Sequence, residues 1–158
     1  MVKRHARFIG SMAAGVVLLS SAVAFANRTT IQDPKGDGED VLDIKSASHG
    51  HTKTGKLVHK MVAYSNFGPA KAKKITIGIY TAGADYSVST YGIYNSTTGT
   101  TSSVTVKRPS GNTIKYIFGK KKIGKPSRYD WHVFTVPGYS CPTCPDYAPN
   151  TGYVTHKL

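Results

Sequence analysis

The sequence predicts an all-β protein, an antiparallel β-sandwich of jelly-roll-like form with about seven or eight strands. Apolar residues recur at every second position, which is typical of half-buried strands. These runs are rich in Val, Ile, Thr and Tyr, and turns containing Gly or Pro separate them at intervals of roughly ten residues. Intervals this short leave no room for the crossovers that parallel strands need, so antiparallel sheets are expected.

Seven segments carry the strand pattern. The alternation in residues 129–136 predicts that Trp131 faces the core, while Asp130 and His132 share the opposite, outward face. The turn residues at 109–112 predict a hairpin between the strands that flank them. No convincing helix is predicted after residue 26. The predicted strands cover residues 41–47, 57–64, 75–80, 86–94, 103–107, 113–118 and 129–136.

Residues 1–26 have the pattern of a secretory signal peptide. Three basic residues precede a short apolar stretch at 12–25, and Ala24 and Ala26 fit the small-residue rule for cleavage. The sequence therefore predicts an exported, extracellular protein in which residues 27–158 form one β-sandwich domain without a transmembrane segment. Cleavage lowers the formal charge of the 158-residue chain from +13 to +10, because the removed segment holds three basic and no acidic residues. The exported domain stays strongly basic.

Acidic residues are concentrated near the start of this domain, where five of the eight lie between positions 33 and 43. Carboxylates on a glycine-containing loop suit a hard cation, and calcium prefers such oxygen ligands. One more aspartate, close to the other end of the domain, completes the set if the two ends meet. The alternative is a solvated acidic turn, and the spacing is not that of an EF-hand. The candidate calcium ligands are Asp33, Asp37, Asp40, Asp43 and Asp146.

The stretch Asp-Pro-Lys-Gly-Asp at 33–37, followed by Leu-Asp-Ile at 42–44, resembles the opening of secreted bacterial DOMON and carbohydrate-binding family 9-like modules. The chain is also similar to small secreted actinobacterial proteins without an assigned activity. The resemblance to these modules implies a jelly-roll-like sandwich, calcium in some members and sugar binding through aromatic side chains. The chain departs from the paired tryptophans of such sugar sites, because Trp131 is its only tryptophan.

A second candidate metal site lies at His49 and His51, which have the i, i+2 spacing. In an extended chain these two side chains point the same way, a geometry that zinc or copper can use, and His59 follows nearby. The simpler interpretation is that residues 49–55 form a polar hairpin loop. Both interpretations stay open at the level of sequence.

The two cysteines, Cys141 and Cys144, are predicted to form a disulfide in the exported protein. Their spacing is also that of thioredoxin-like redox motifs, but those place the first cysteine at a helix N-terminus. The prolines around this motif discourage a helix. Zinc binding and a catalytic thiol are the remaining alternatives.

Residues 107–128 contain eight basic and no acidic residues, which favours binding to a polyanion. Because export is predicted, an anionic cell-wall polymer or a polysaccharide is the expected partner, and nucleic acid is not. The alternative is a solvated turn whose lysines block edge-to-edge association of strands. The candidate polyanion-binding residues are Lys120, Lys121, Lys122, Lys125 and Arg128.

No pattern in the sequence reaches a catalytic signature, since no nucleophile elbow and no zinc-protease motif is present. We therefore expect a secreted, non-enzymatic β-sandwich protein that acts as a binding or structural module at the surface or in the cell wall, stabilised by calcium. Two other functions stay open. One is a small secreted hydrolase with an unrecognised site, and the other is an adhesive or inhibitory module that binds a protein through its tyrosine-rich surface.

Overall fold

The computed structural model describes residues 28–38, 40–136 and 145–158, and this part of the chain forms two antiparallel sheets. Among these residues the helices are short: α1 (Pro69–Ala72) and two 3₁₀ helices, Asp40–Leu42 and Lys120–Ile123. The strands are β1 (Thr29–Gln32), β2 (Ile44–His51), β3 (Leu57–Ala63), β4 (Ile75–Tyr80), β5 (Asp85–Ser89), β6 (Gly92–Asn95), β7 (Thr100–Ser102), β8 (Thr105–Ser110), β9 (Thr113–Phe118), β10 (Arg128–Thr135), β11 (Tyr147–Ala148) and β12 (Val154–Lys157).

The smaller sheet has the strand order β1-β2-β3-β9-β8, and the larger has the order β11-β10-β4-β5-β6-β7. Strand β12 pairs with the first half of β10, and β11 pairs with the second half. The chain changes sheet after β3, β7 and β9, so strands distant in sequence pair in the middle of each sheet. The prediction of an all-β, antiparallel sandwich is confirmed. The described residues contain twelve strands, more than the predicted seven or eight.

The additional strands have physical reasons. The predicted strand at 86–94 is divided into β5 and β6, because the chain turns at Tyr91 before Gly92, whose φ of +138° suits only glycine. The predicted strand at 41–47 begins only at Ile44, since the preceding residues form a 3₁₀ helix. Strands β1, β7, β11 and β12 are short or polar, so alternation of apolar residues does not reveal them.

The core lies between the two sheets, and Trp131, Tyr116 and Tyr129 are its largest fully buried side chains. The predicted inward orientation of Trp131 is confirmed, because its ring is fully buried on β10. The Tyr116 hydroxyl on β9 donates a hydrogen bond of 2.8 Å to the carbonyl of Ile75 on β4. This bond joins one sheet to the other inside the core.

The hairpin predicted at 109–112 connects β8 to β9, with Ser110 paired to Thr113. Strand β8 forms one edge of the smaller sheet, and it exposes Lys107, Arg108 and Pro109. Charged residues and proline on an edge strand discourage pairing with another chain. In residues 28–38, 40–136 and 145–158, no helix has the length and apolar character required to cross a membrane.

Candidate metal centre

Three aspartates from the two ends of the described domain meet at one point. Asp33 follows β1, Asp37 lies in the turn after it, and Asp146 directly precedes β11. Each offers one carboxylate oxygen, and these three oxygens lie within 4.8 Å of one another. We call these three residues the carboxylate centre. The approach of Asp146 to the acidic loop is the arrangement on which the predicted calcium site depends.

Two of the three side chains are almost completely removed from solvent. Asp33 is 5% exposed and Asp146 is 2% exposed, whereas Asp37 is exposed. The Oδ2 atom of Asp33 is buried without a hydrogen-bond partner among the described residues. A buried carboxylate costs free energy unless a hydrogen bond, an opposite charge or a metal compensates it. The carboxylate centre therefore has an uncompensated negative charge when every carboxyl is ionised.

Burial and mutual repulsion raise the pKa values of the two buried carboxyls. Burial is the largest cause for Asp33, whose pKa rises to about 7, and the neighbouring Asp146 and Asp37 add to it. Burial also raises the pKa of Asp146 to about 6, although the hydrogen bond from the Ile44 amide opposes this shift. No cationic side chain is among the causes for either group. Near neutral pH, the empty centre therefore retains part of its protons.

Hydrogen bonds fix the orientation of the surrounding loop. The Ile44 amide donates to Oδ2 of Asp146 at 2.5 Å, and the Asn150 side-chain amide donates to Oδ2 of Asp37 at 2.5 Å. Asp43 is not one of the three residues of the carboxylate centre. Its Oδ2 accepts a hydrogen bond of 2.9 Å from the Gly36 amide, and this bond holds the turn.

The other predicted ligands have different positions. Asp43 is 7% exposed, and its Oδ1 is buried without a hydrogen-bond partner in the described part of the chain. Its place beside the turn makes it a residue that shapes the loop rather than a member of the group of three. The side chain of Asp40 lies outside what the structure describes. The carboxylate centre thus contains three of the five predicted ligands.

Gly38 packs directly against the carboxylate of Asp146. A Cβ atom at position 38 would lie 2.5 Å from Oδ2 of Asp146, closer than any real Cβ contact. Only glycine permits this approach of the loop to the carboxylate. The sequence alone does not reveal the contact between Gly38 and Asp146, because this contact forms only when the two ends of the domain meet.

The donor set of the carboxylate centre consists of oxygen atoms alone. Such a set fits a hard cation, and calcium takes six to eight oxygen ligands from carboxylates, carbonyls and water. The competing arrangement is a proton shared between Asp33 and Asp146, which removes the same repulsion without an ion. The two arrangements differ in their response to calcium.

The polar-loop interpretation of residues 49–55 is wrong for His49 and His51, whereas the metal interpretation stays a prediction. His49 and His51 belong to β2, which pairs with β3 up to the pair His51–Leu57, so the turn begins only at Thr52. His49 is 2% exposed because it packs against the ring of Trp131. His156 on β12 reaches the same place from the other sheet, and sequence reasoning missed it.

The predicted polyanion-binding residues lie on the connection between β9 and β10. Lys121, Lys122 and Lys125 are exposed, as is Arg128 at the start of β10, whereas Lys120 is half-buried. Strand β9 has β3 on one side and β8 on the other, so it is not an edge strand. Lys122 nevertheless donates a hydrogen bond of 3.4 Å to Ser103, between the edge strands β7 and β8, so protection of a strand edge stays an alternative.

A row of lysines crosses the outer face of the smaller sheet and was not predicted. The strand register places Lys60 of β3 opposite Lys115 of β9, and Lys115 opposite Lys107 of β8. Burial lowers the pKa of Lys60, and the charges of Arg28 and Lys115 lower it further. We call Lys60, Lys115 and Lys107 the lysine row. Lys107 and Lys115 lie 47 or more positions after Lys60 in the chain. Only the pairing of β3 with β9 therefore reveals the lysine row.

The outer face of the larger sheet carries a cluster of aromatic rings around His132. The ring of His132 lies 5.2 Å from that of Tyr153 and 5.6 Å from that of Tyr80, measured between centroids. Tyr147 and Phe134 complete the cluster. Tyr153 is 56% exposed. His132 and Asp130 do lie on the outward side of β10, as the alternation predicted, but the tyrosines cover His132.

Two predictions fall on residues outside the described ranges. These are the signal peptide at 1–26 and the disulfide between Cys141 and Cys144. Both stay predictions from the sequence.

Comparisons of the chain with protein-family models, with curated proteins and with solved structures find no match. The fold and the geometry of the described residues define its class, an all-β antiparallel sandwich with a buried group of carboxylates where its ends meet.

Proposed function

We propose that this protein is a secreted, non-enzymatic β-sandwich module that binds at the cell surface or in the cell wall and is stabilised by calcium. The observation that carries the calcium proposal is the buried Oδ2 atom of Asp33, which has no hydrogen-bond partner among the described residues, together with the two carboxylates beside Asp33. The signal-peptide pattern of residues 1–26 supports export. Calcium sites of extracellular modules have dissociation constants of about 10⁻⁴–10⁻³ M.

Calcium would stabilise the fold by joining two distant parts of it. Asp33 and Asp37 follow β1 of the smaller sheet, and Asp146 precedes β11 of the larger sheet. An ion bound by all three residues neutralises their repulsion and holds these parts together. Because the ligand set exists only in the folded chain, binding adds about 2.7 kcal/mol to the free energy of unfolding when calcium is at a hundred times its dissociation constant.

The test is thermal unfolding of the purified protein with calcium, with magnesium and with a chelator. Calcium is expected to raise the Tm by several degrees, and the chelator is expected to reverse the shift. Asp33→Asn should abolish this response while raising the Tm of the calcium-free protein, because one of the repelling charges is gone. Asp85→Asn is the matched control, since Asp85 is exposed and lies on β5, which β10 and β4 separate from β11 in the larger sheet.

A Tm that does not respond to calcium or chelator contradicts the calcium proposal. If Asp33→Asn also leaves the Tm unraised in that case, a proton shared by the two buried carboxyls already removes their repulsion. Loss of the calcium response in Asp85→Asn would show that the ion acts through general charge effects rather than through the carboxylate centre.

The binding surface with the strongest physical support is the lysine row. Like charges directly opposite each other on neighbouring strands destabilise a sheet, and a bound polyanion removes this penalty. Adjacent strands are about 4.7–4.9 Å apart, so the row presents closely spaced positive charges across three strands. Arg28 lines the same surface cavity as Lys60 and Lys115. An anionic cell-wall polymer is the partner that these charges favour.

Retention on purified cell wall at increasing salt concentration tests this binding. The triple variant with Lys60, Lys115 and Lys107 replaced by Ser should lose most retention, and the wild-type affinity should fall steeply with salt because counterions are released. The variant with Lys120, Lys121 and Lys122 replaced by Ser has the same net charge and is the matched control. If only this second variant loses retention, the predicted basic stretch is the binding site. Equal loss in both variants means that net charge alone attracts the protein to the wall.

An uncharged polysaccharide is the second candidate partner, and the aromatic cluster around His132 favours it. Exposed aromatic rings offer an apolar face with polar tips, which suits a ligand that is partly apolar and partly hydroxylated. Affinity electrophoresis in polysaccharide gels distinguishes the two partners. Tyr153→Ala should weaken uncharged polysaccharide binding only, and the lysine-row variant should weaken polyanion binding only. A hydrolase screen on the same protein tests the non-enzymatic part of the proposal.

A further inference from the structure

Four histidines converge at one end of the core. His49 and His51 come from β2, His59 from β3 and His156 from β12, so both sheets contribute. His49 is 2% exposed, His59 is fully buried and His156 is 3% exposed. A neutral imidazole has a nitrogen lone pair available to a metal.

The Nε2 atoms of His51 and His156 face each other at 3.5 Å. Two nitrogen ligands of one tetrahedral ion, each about 2.0–2.1 Å from it, are separated by about 3.4 Å. The observed separation is close to this value. His51 is only half-buried, so solvent can reach the position between the two rings. Two protein ligands and an open side leave coordination positions for water.

His49 fixes the ring of His156 from behind. Its Nε2 atom is within hydrogen-bond distance of Nδ1 of His156, the nitrogen that faces away from His51. Histidines that bind metals through one nitrogen usually donate the proton of the other nitrogen to a neighbouring group. With the His156 Nδ1 proton donated to His49, the lone pair of His156 Nε2 points to the position between the two rings.

We propose that His51 and His156 bind one imidazole-preferring transition-metal ion, zinc or copper(II), through their Nε2 atoms, with His49 as the positioning residue. Imidazole nitrogen ligands suit these ions, whereas calcium prefers oxygen ligands. This site is independent of the carboxylate centre because it uses different residues. In the absence of an ion, the same nitrogens form a chain of hydrogen bonds from His49 through His156 to His51.

Calorimetric titration of the protein, without a histidine tag, with zinc and with copper(II) tests the site. One ion per chain is expected to bind, and the electron paramagnetic resonance spectrum of the copper form should show coupling to two imidazole nitrogens. His51→Gln should abolish this binding and keep the fold, because His51 is half-buried. His49→Gln should weaken binding by about ten- to a hundredfold, as expected for a group that orients a ligand.

His132→Gln is the matched control, since His132 lies on the outer face of the larger sheet among tyrosines. It should bind zinc and copper(II) like the wild type, and so should Asp146→Asn. The proposal is overturned if the wild type binds neither ion, or if His51→Gln and His132→Gln bind equally well. The first result would mean that the histidines form a hydrogen-bonded chain only. Neither result bears on the calcium proposal, because the calcium response of the Tm depends on the carboxylate centre and not on these histidines.

Discussion

The Oδ2 atom of Asp146 accepts a hydrogen bond from the backbone amide of Ile44, 102 positions earlier in the chain. Ile44 begins β2 of the smaller sheet, and Asp146 directly precedes β11 of the larger one. The bond therefore connects the two sheets at the place where the carboxylate centre is built. Any change that moves Asp146 is expected to affect this connection and the proposed calcium site together.

Lower pH is expected to weaken calcium binding. The pKa of Asp33 is raised to about 7 and that of Asp146 to about 6, so protons must leave before the ion binds. In the unfolded chain these groups ionise near 3.8, so the calcium-free folded state holds more protons between these values. The contribution of these two carboxyls to its stability is therefore complete below pH 3.8 and is lost as the pH rises through about 6 and 7.

Free energies of unfolding measured from pH 5 to pH 8, with chelator and with saturating calcium, check this prediction. The two curves should diverge as the pH rises. Parallel curves would show that protons and calcium do not compete for the carboxylate centre. Asp33→Asn should make the chelator curve flatter, because Asn does not titrate.

Gly38→Ala is expected to weaken calcium binding at least tenfold without removing a ligand. The new Cβ atom would lie 2.5 Å from Oδ2 of Asp146 and displace that carboxylate. Gly119→Ala is the control, because Gly119 has φ of −77° and nothing within 4 Å of its Cβ position. The measurement is a calcium titration of both variants in which the Tm is recorded at each calcium concentration. Equal affinities for the two variants would mean that Asp146 is not a ligand.

His59 is expected to destabilise the fold in acid. Burial holds its pKa well below the usual 6.5, so the unfolded chain binds a proton that the folded chain excludes. Stability from this group is complete above pH 6.5 and is lost as the pH falls, by up to about 1.4 kcal/mol per pH unit. His59→Gln should reduce this slope in saturating calcium, where the aspartates do not oppose it. An unchanged slope would assign the acid sensitivity to other groups.

Tyr116→Phe should lower the free energy of unfolding by about 1–3 kcal/mol, because the buried Ile75 carbonyl loses the donor that crosses the core. Tyr94→Phe serves as the comparison, since Tyr94 is 46% exposed and its hydroxyl is expected to contribute less than about 0.5 kcal/mol. Urea unfolding of both variants measures the difference. A loss at Tyr116 no larger than at Tyr94 would mean that water replaces the hydroxyl at the carbonyl.

The sequence predicted the class of fold and two members of the carboxylate centre, Asp33 and Asp37, for local reasons. Alternation of apolar residues identifies individual strands, as in β4 and β9, and turn residues identify the β8–β9 hairpin. The acidic loop is visible because Asp33 and Asp37 are close together in the chain. Asp146 entered the prediction only on the assumption that the two ends meet.

The lysine row and the approach of His156 to His49 and His51 could not be predicted because they depend on strand pairing. Lys60 meets Lys115 only because β3 pairs with β9, and hydrophobic alternation says nothing about which strands become neighbours. His156 lies on a four-residue strand whose pattern is too short to recognise. The metal and loop interpretations of His49 both stay open in the sequence, because a buried histidine has the same sequence signature as an exposed one.

The long separation between Ile44 and Asp146 in the chain also determines the order in which the parts of the carboxylate centre are made. In the export that we propose, the chain crosses the membrane from its first residue to its last, so Asp33 and Asp37 emerge more than a hundred residues before Asp146. Until that residue arrives, the acidic loop lacks one of the three carboxylates. A calcium ion that needs all three would consequently bind only chains whose translocation is nearly complete, and it would stabilise the finished domain rather than direct its early folding.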